Sequence, residues 1–266
     1  MAKCKTVHDI RKLYEAGTVI TMLTAYDYPL ARLLEQAGID MILVGDSFGT
    51  VVAGYDNTLP VTMDDMVHHT RMVTRGAPNT LVVADMPFLS YQNDIATAKL
   101  NAGRLIQEGG AQAVKLEGGV TMRDTIRAIV DMDVPVMGHV GLTPQSVHRM
   151  GGYRIQGRGE DAAARLLKDA LAVEEAGAFS IVLEGIPAAL AKEITAQLHI
   201  PTIGIGAGVH CSGQVLVTHD MIGLCDKFSP KFVKKYVDLS AILSEAFANY
   251  RDDVREKRFP AEEHSF

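Results

Sequence analysis

The amino-acid sequence predicts one α/β domain, a (β/α)8 TIM barrel over residues 1–266 with helical additions at its amino and carboxyl ends. Strand-like and helix-like segments alternate from end to end, and no linker separates two domains. About eight strands in roughly 250 residues match the usual size of such a barrel. Several of the strands also end on an acidic residue, and barrel enzymes place their active sites at that end of the strands.

The predicted strands are short apolar runs of the kind that a parallel sheet buries on both faces. They lie near residues 18–24, 40–45, 80–85, 112–117, 134–139, 179–184, 200–205 and 214–218. Five of these runs lead to a polar side chain suited to catalysis: Asp46, Asp85, Glu117, His139 and Glu184. A doubly wound open sheet is the alternative fold, but it would bind ligands at one switch point and would not spread acids over many strands.

The predicted helices carry apolar residues at helical spacing between recognisable ends. One runs over residues 28–37, where Asp27 can cap the start and Gly38 the end. Similar patterns predict helices over residues 63–75, 161–176, 187–198 and 239–250. The long segments that follow Asp46 and His139 are typical of binding loops or lids.

Composition limits the partners of the chain. The net charge of −6 argues against a nucleic-acid surface, and no apolar stretch approaches the roughly 18 residues of a membrane-spanning helix. The amino terminus has no signal-peptide core. Cys4, Cys211 and Cys225 are few and scattered, which predicts neither disulfides nor a zinc cluster. We therefore expect a cytoplasmic protein that binds neither nucleic acid nor membranes.

Three of the strand-end acids predict a metal site. Asp46, Asp85 and Glu117 would repel one another at a shared rim unless a cation lay between them, and oxygen ligands of this kind suit Mg²⁺. Alternation along a strand predicts that Asp46 shares a face with Ile42 and Val44. Taken singly, each acid could equally cap a helix or form an ion pair. The set as a whole favours a functional site.

The remaining candidates would act on a substrate. Glu184 precedes an apolar loop, and a carboxylate in a dry setting is a useful proton acceptor near neutral pH. His139 could bind a substrate oxygen, tune a nearby acid or be purely structural. Lys115 shares a face with Glu117 and could pair with a substrate carboxylate, form a Schiff base or only balance Glu117. Nearby carboxylates favour its ammonium form, so we favour carboxylate pairing.

Two other features are weaker signals. The glycine-rich segment over residues 201–208 lacks the spacing of a dinucleotide-binding loop, and its glycines could only allow a ligand to approach the backbone. His68 and His69 are adjacent in a predicted helix, where side chains point about 100° apart, so they predict surface or packing positions rather than a metal site.

The chain resembles the ketopantoate hydroxymethyltransferase family over nearly its whole length. The motifs that carry the resemblance include Thr24-Ala25-Tyr26-Asp27, Val44-Gly45-Asp46-Ser47, Ala84-Asp85-Met86-Pro87-Phe88, Val114-Lys115-Leu116-Glu117-Gly118-Gly119, Gly138-His139-Val140-Gly141-Leu142-Thr143-Pro144-Gln145, Leu183-Glu184, Ile203-Gly204-Ile205-Gly206-Ala207-Gly208 and Glu262-Glu263-His264-Ser265-Phe266. The resemblance implies a barrel of the phosphoenolpyruvate/pyruvate superfamily, a divalent cation such as Mg²⁺, and a homo-oligomer, often a decamer.

The resemblance also implies an activity. It is hydroxymethyl transfer from 5,10-methylenetetrahydrofolate to α-ketoisovalerate, through a metal-stabilised enolate, to give ketopantoate in pantothenate biosynthesis. The family's metal ligands fall on Asp46, Asp85 and Glu117, and its proton acceptor falls on Glu184. Its keto-acid-binding residues fall on Ser47 and Lys115, to which we add the two aspartates and His139 as expected substrate contacts.

Other functions stay open on sequence alone. A magnesium-dependent C–C lyase or aldolase would share the acids and the enolate, and a Schiff-base aldolase would use Lys115. A non-catalytic barrel that scaffolds an assembly is a third possibility. For the transferase, charge alone suggests that Arg154 and Arg158 contact the glutamate tail of the folate.

Overall fold

The computed structural model describes residues 4–224 and 230–266. By their contacts these residues divide into two compact units, with the boundary between Leu216 and Val217. Cys4 and Cys211 are free thiols. The expectation of a cytoplasmic protein also used Cys225, which lies outside the described residues.

The first unit contains a closed barrel of eight parallel strands, each paired with the next and the last with the first. The strands are β1 (Ile20–Thr24), β2 (Met41–Val44), β3 (Leu81–Asp85), β4 (Ala113–Glu117), β5 (Val136–Gly141), β6 (Ser180–Glu184), β7 (Thr202–Ile205) and β8 (Gly213–Leu216). This confirms the predicted (β/α)8 barrel. Strand β5 departs most from prediction, since it begins two residues after Val134 and ends two residues after His139.

Helices separate the strands along the chain, except that residues 206–212, between β7 and β8, form none. In this unit they are α1 (Val7–Glu15), α2 (Tyr28–Gln36), α3 (Phe48–Val51), α4 (Met63–Gly76), α5 (Ile95–Gln107), α6 (Arg123–Val130), α7 (Val147–Met150), α8 (Glu160–Glu175) and α9 (Ala188–Gln197), with short 3₁₀ turns at Val120–Met122 and Pro144–Ser146. As predicted, the Asp27 carboxylate caps α2 by accepting the backbone N–H of Leu30 at 2.8 Å.

Side-chain alternation along the strands separates two apolar layers. Met41 and Leu43 belong to a cluster inside the barrel, whereas Ile42 and Val44 pack in the layer between sheet and helices. Ile10 of α1 is fully buried in the inner cluster, beside residues at the amino ends of the strands. The interior is therefore filled with side chains below the carboxyl-end rim.

The strand register places the predicted polar residues beside one another at that rim. Asp85 is paired with Lys115 across β3 and β4, and Glu117 with His139 across β4 and β5. Glu184 is paired with Gly141, whose φ is +101° and where a Cβ atom would lie 2.2 Å from the Glu184 carbonyl oxygen. Only glycine fits this close approach of β5 to β6.

In its described residues, 217–224 and 230–266, the second unit contains the helices α10 (Thr218–Met221) and α11 (Leu239–Arg255) and a 3₁₀ turn at Glu262–His264. None of the residues of α11 is buried. Its exposed side chains include Ile242, Phe247 and Tyr250. In the described parts of the chain, no helix combines the length and apolarity needed to cross a bilayer.

Candidate active site

The three acids predicted to bind a metal lie together at the carboxyl-end rim. Asp46, Asp85 and Glu117 are only 4%, 2% and 6% exposed. The Asp46 N–H donates to Oδ2 of Asp85 at 3.0 Å, and the Lys115 ammonium lies 2.6 Å from Oδ1 of Asp85. The structure thus gathers three buried carboxylates around one buried lysine.

The position of Asp46 at this rim does not follow from side-chain alternation along β2. We expected it to share a face with Ile42 and Val44, but β2 ends at Val44 and both residues face the helices. The chain turns through Gly45, where a Cβ atom would come within 2.7 Å of the Ser47 Oγ. That expectation was wrong because the alternating geometry stops where the strand stops.

The charge of Lys115 is set by its neighbours. Burial lowers the pKa of this amine, but Asp85, Glu117 and Asp46 oppose burial more strongly, and the pKa is raised above its ordinary value. Lys115 is therefore an ammonium at neutral pH. A Schiff-base lysine must be a neutral amine, so the electrostatics disfavour that alternative and favour an ion pair with an anion.

The acids carry more negative charge than Lys115 offsets. Burial, followed by the charge of Asp85, raises the pKa of Asp46 to about 7. Burial, followed by the charge of Asp46, raises the pKa of Glu117 well above its ordinary value. A divalent cation would stabilise the ionised forms of both groups, and an all-oxygen set is the kind that Mg²⁺ takes.

The donor chemistry fits such a cation, but the ligands are not arranged around an ion in advance. Among residues 4–224 and 230–266, no three His, Cys, Asp or Glu side chains form a ready metal cluster. Lys115 holds Oδ1 of Asp85, and the Gln145 side chain donates to Oδ2 of Asp46 at 2.9 Å. Binding would require these contacts to adjust or to be shared.

His139 links Lys115 to Glu184. Its Nδ1 lies 3.3 Å from the Lys115 Nζ, and its Nε2 lies 3.3 Å from Oε2 of Glu184. Burial and the Lys115 charge lower the pKa of His139, so the ring is neutral. An ammonium can only donate, so Nδ1 accepts and the Nε2–H faces the carboxylate. The Glu184 side chain is 15% exposed, more than the side chains of Glu117 and Asp85, so a solute reaches it more easily than these two acids.

Ser47 lies at the start of the loop that follows β2, and His69 of α4 packs nearby. The Ser47 hydroxyl shares a 2.8 Å hydrogen bond with the Tyr26 hydroxyl, beside Asp46 in the chain. The His69 Nδ1 lies 2.6 Å from the Tyr26 carbonyl oxygen, and its ring centroid is 4.0 Å from that of Phe48. His69 thus takes a packing role, as predicted for the pair.

A cavity of about 450 Å³ lies next to the acids, between the loops after β4 and β5 and helix α8. Glu117 and Gln145 form part of its wall. Arg149 and Arg165 line it, whereas neither Arg154 nor Arg158 does. The suggestion that these last two arginines contact folate gains no support from this cavity.

Sequence reasoning missed two buried residues of the site. Gln145 is 6% exposed and contacts both Asp46 and Glu117, and Tyr91 is 1% exposed and bonds to the Glu117 backbone. Gln145 does fall within one of the motifs quoted above, but a polar side chain on a loop gives no sign of what it contacts.

The fold and the site together define a (β/α)8-barrel enzyme with an acidic centre at the carboxyl ends of its strands. A sequence model of the family described as ketopantoate hydroxymethyltransferase matches residues 4–262. The 3-methyl-2-oxobutanoate hydroxymethyltransferases of Geobacter sulfurreducens and Geobacter metallireducens are 64% and 63% identical to the chain, over 100% of it and 100% of their own lengths. The chain belongs to the ketopantoate hydroxymethyltransferase family. It is therefore a transferase of small molecules in pantothenate biosynthesis, not a scaffold.

Solved structures of other enzymes share the fold. A phosphonopyruvate hydrolase in complex with oxalate and Mg²⁺ superposes with a TM-score of 0.65 at 15% identity, covering 98% of this chain and 93% of the hydrolase. A 2,3-dimethylmalate lyase of the PEP mutase/isocitrate lyase superfamily gives 0.57 at 19% identity, covering 96% and 88%. At these identities the likeness supports the barrel fold alone.

Proposed function

We propose that the chain transfers a hydroxymethyl group from 5,10-methylenetetrahydrofolate to α-ketoisovalerate through an enolate, giving ketopantoate. The observation that carries this proposal is the convergence of Asp46, Asp85, Lys115 and Glu117 at one rim, with Glu184 beside them across His139. A keto acid needs a cationic partner for its carboxylate and a base for its adjacent carbon, and this rim offers both.

The buried charges suit the binding of the keto acid. The Lys115 ammonium can form an ion pair with the substrate carboxylate in addition to its ion pair with Asp85, and the Ser47 hydroxyl can donate a hydrogen bond to the same carboxylate. Mg²⁺ held by Asp46, Asp85 and Glu117 would supply Lewis-acid stabilisation of the charge that develops on the keto oxygen. The two aspartates would then contact the substrate through this cation and not directly.

Glu184 is the proposed base. It would take the proton from the carbon next to the ketone to give the enolate. Water would add to the methylene carbon of the folate, both C–N bonds of that carbon would break, and tetrahydrofolate would leave formaldehyde behind. The enolate would then bond to the formaldehyde carbon, and the proton held by Glu184 would return to the new hydroxyl oxygen. The neutral His139 ring presents its Nε2–H to the Glu184 carboxylate, so it orients the base without adding a positive charge. The partial exposure of Glu184 leaves room for a substrate carbon.

Two broader expectations belong to the same proposal. The chain would work in the cytoplasm as a homo-oligomer, by family resemblance a decamer. The wholly unburied helix α11, with exposed Ile242, Phe247 and Tyr250, supports self-association because exposed apolar side chains in one helix favour a protein partner.

Product analysis tests the activity. We expect the purified chain with α-ketoisovalerate, methylenetetrahydrofolate and Mg²⁺ to form ketopantoate, detected by mass spectrometry. Glu184→Gln should reduce the rate at least about 100-fold, as expected for loss of a general base. The matched control is Glu193→Gln, an exposed glutamate on α9, which should leave the rate unchanged. Equal rates for the two variants would refute the role of Glu184, and absence of product would refute the activity.

A further inference from the structure

Gln145 occupies a central and buried place at the rim. It lies in the 3₁₀ turn Pro144–Ser146 after β5, and it is 6% exposed. Its backbone N–H donates to Oε2 of Glu117 at 3.1 Å, and its side-chain amide donates to Oδ2 of Asp46 at 2.9 Å. One residue therefore bonds to two of the proposed metal ligands, one at the end of β4 and the other in the loop after β2.

The chemistry around the amide fixes which way it faces. Its Nε2 donates to Oδ2 of Asp46 and to the Met86 carbonyl oxygen at 3.0 Å. Its Oε1 accepts from the Tyr91 hydroxyl at 2.7 Å and from the Gln92 side chain at 3.0 Å. A reversed amide would place oxygen against two acceptors, so only this orientation satisfies all four partners.

Tyr91 closes the network on the side of Glu117. Its hydroxyl oxygen accepts the Glu117 backbone N–H at 3.1 Å and donates its proton to Oε1 of Gln145. The hydrogen bonds thus run from Glu117 through Tyr91 and Gln145 to Asp46, and return to Glu117 through the Gln145 backbone N–H. All four residues are buried, where such bonds are strong and a missing partner is costly.

We propose that Gln145 is a positioning residue that keeps the carboxylates of Asp46 and Glu117 close together at the rim, so that both can turn to serve one divalent cation when it binds. Tyr91 assists by fixing the direction of the amide. This role rests on the proposed function, because it assumes that the acids bind such an ion. Partners that orient metal ligands in this way contribute about 10–100-fold to metal affinity.

The test measures binding of Mn²⁺, a paramagnetic substitute for Mg²⁺, to the full-length protein without substrates, by electron paramagnetic resonance. Gln145→Leu keeps a similar volume but removes the side-chain donors, and we expect its Mn²⁺ affinity to fall about 10–100-fold. Tyr91→Phe removes only the hydroxyl and should give a smaller fall. Gln36→Leu is the matched control, since Gln36 is exposed at the last position of α2 and lines none of the site, and its affinity should not change.

Product formation by the same variants provides a second measurement. We expect the Mg²⁺ concentration for half-maximal rate to rise in Gln145→Leu while the KM for the folate stays near the wild-type value. Wild-type Mn²⁺ affinity in folded Gln145→Leu would overturn the positioning role. If that variant does not fold, Tyr91→Phe decides, and an unchanged affinity there would overturn the role. Failure of the wild-type chain itself to bind Mn²⁺ would instead refute the metal site of the proposed function, and the role with it.

Discussion

Replacing Asp46 by asparagine should stabilise the metal-free protein at alkaline pH, although it removes a proposed metal ligand. The pKa of Asp46 is raised from 3.8 to about 7 by burial and by Asp85. The folded state thus binds more protons than the unfolded chain between these values, so metal-free stability falls as the pH rises from about 4 to about 7. At 1.36 kcal/mol per pKa unit, the cost reaches about 4 kcal/mol at pH 8.

Asp46→Asn avoids this cost because the amide is neutral and can still accept a hydrogen bond from Gln145. We expect the free energy of unfolding of the variant to exceed that of the wild type by up to about 4 kcal/mol at pH 8 and by less than about 2 kcal/mol at pH 5. Urea unfolding in chelator, at one protein concentration, measures the difference. Added Mg²⁺ should stabilise the wild type more than the variant. A variant less stable than the wild type at pH 8 without metal would refute the reasoning.

Two further substitutions test the surroundings of the site. Lys115→Met should destabilise the metal-free protein by about 3–5 kcal/mol, because it leaves buried carboxylates unpaired. Thermal unfolding measures this loss, and Lys115→Arg, which keeps the positive charge, should lose less stability. Borohydride should trap no keto acid on Lys115, whereas a trapped adduct would favour a Schiff-base enzyme. Gly141→Ala should lower kcat by displacing the backbone of Glu184, as steady-state kinetics would show. Gly152 has a similar φ of +108°, but a Cβ atom there would have no neighbour within 4 Å, so Gly152→Ala should leave kcat unchanged. An equal fall in kcat in both variants would contradict the steric argument.

The fold could be predicted because its determinants are local. Each buried strand is an apolar run bounded by turn residues, and the caps of α2 are legible as Asp27 and Gly38. Alternation within β4 also placed Lys115 and Glu117 on one face, and the structure puts both at the rim. These features depend on period and strand length alone, which a single sequence contains.

The contacts across the rim could not be predicted in the same way. The position of Asp46 depends on where β2 ends and how the chain turns at Gly45. The role of Gln145 depends on distances between residues about 30 to 100 positions apart in the chain, and no periodic pattern encodes them. Recognition of the motifs supplied roles for the acids, but the network that holds them became visible only in three dimensions.

In the proposed reaction, Glu184 takes a proton from a keto acid held at the acidic rim. Proton NMR of α-ketoisovalerate in D₂O, with the enzyme and Mg²⁺ but without folate, tests it most directly. We expect the methine signal to be lost only when the divalent cation is present, and to persist with Glu184→Gln. A methine signal that persists with the wild-type enzyme, or that is lost equally fast with Glu184→Gln, would contradict it.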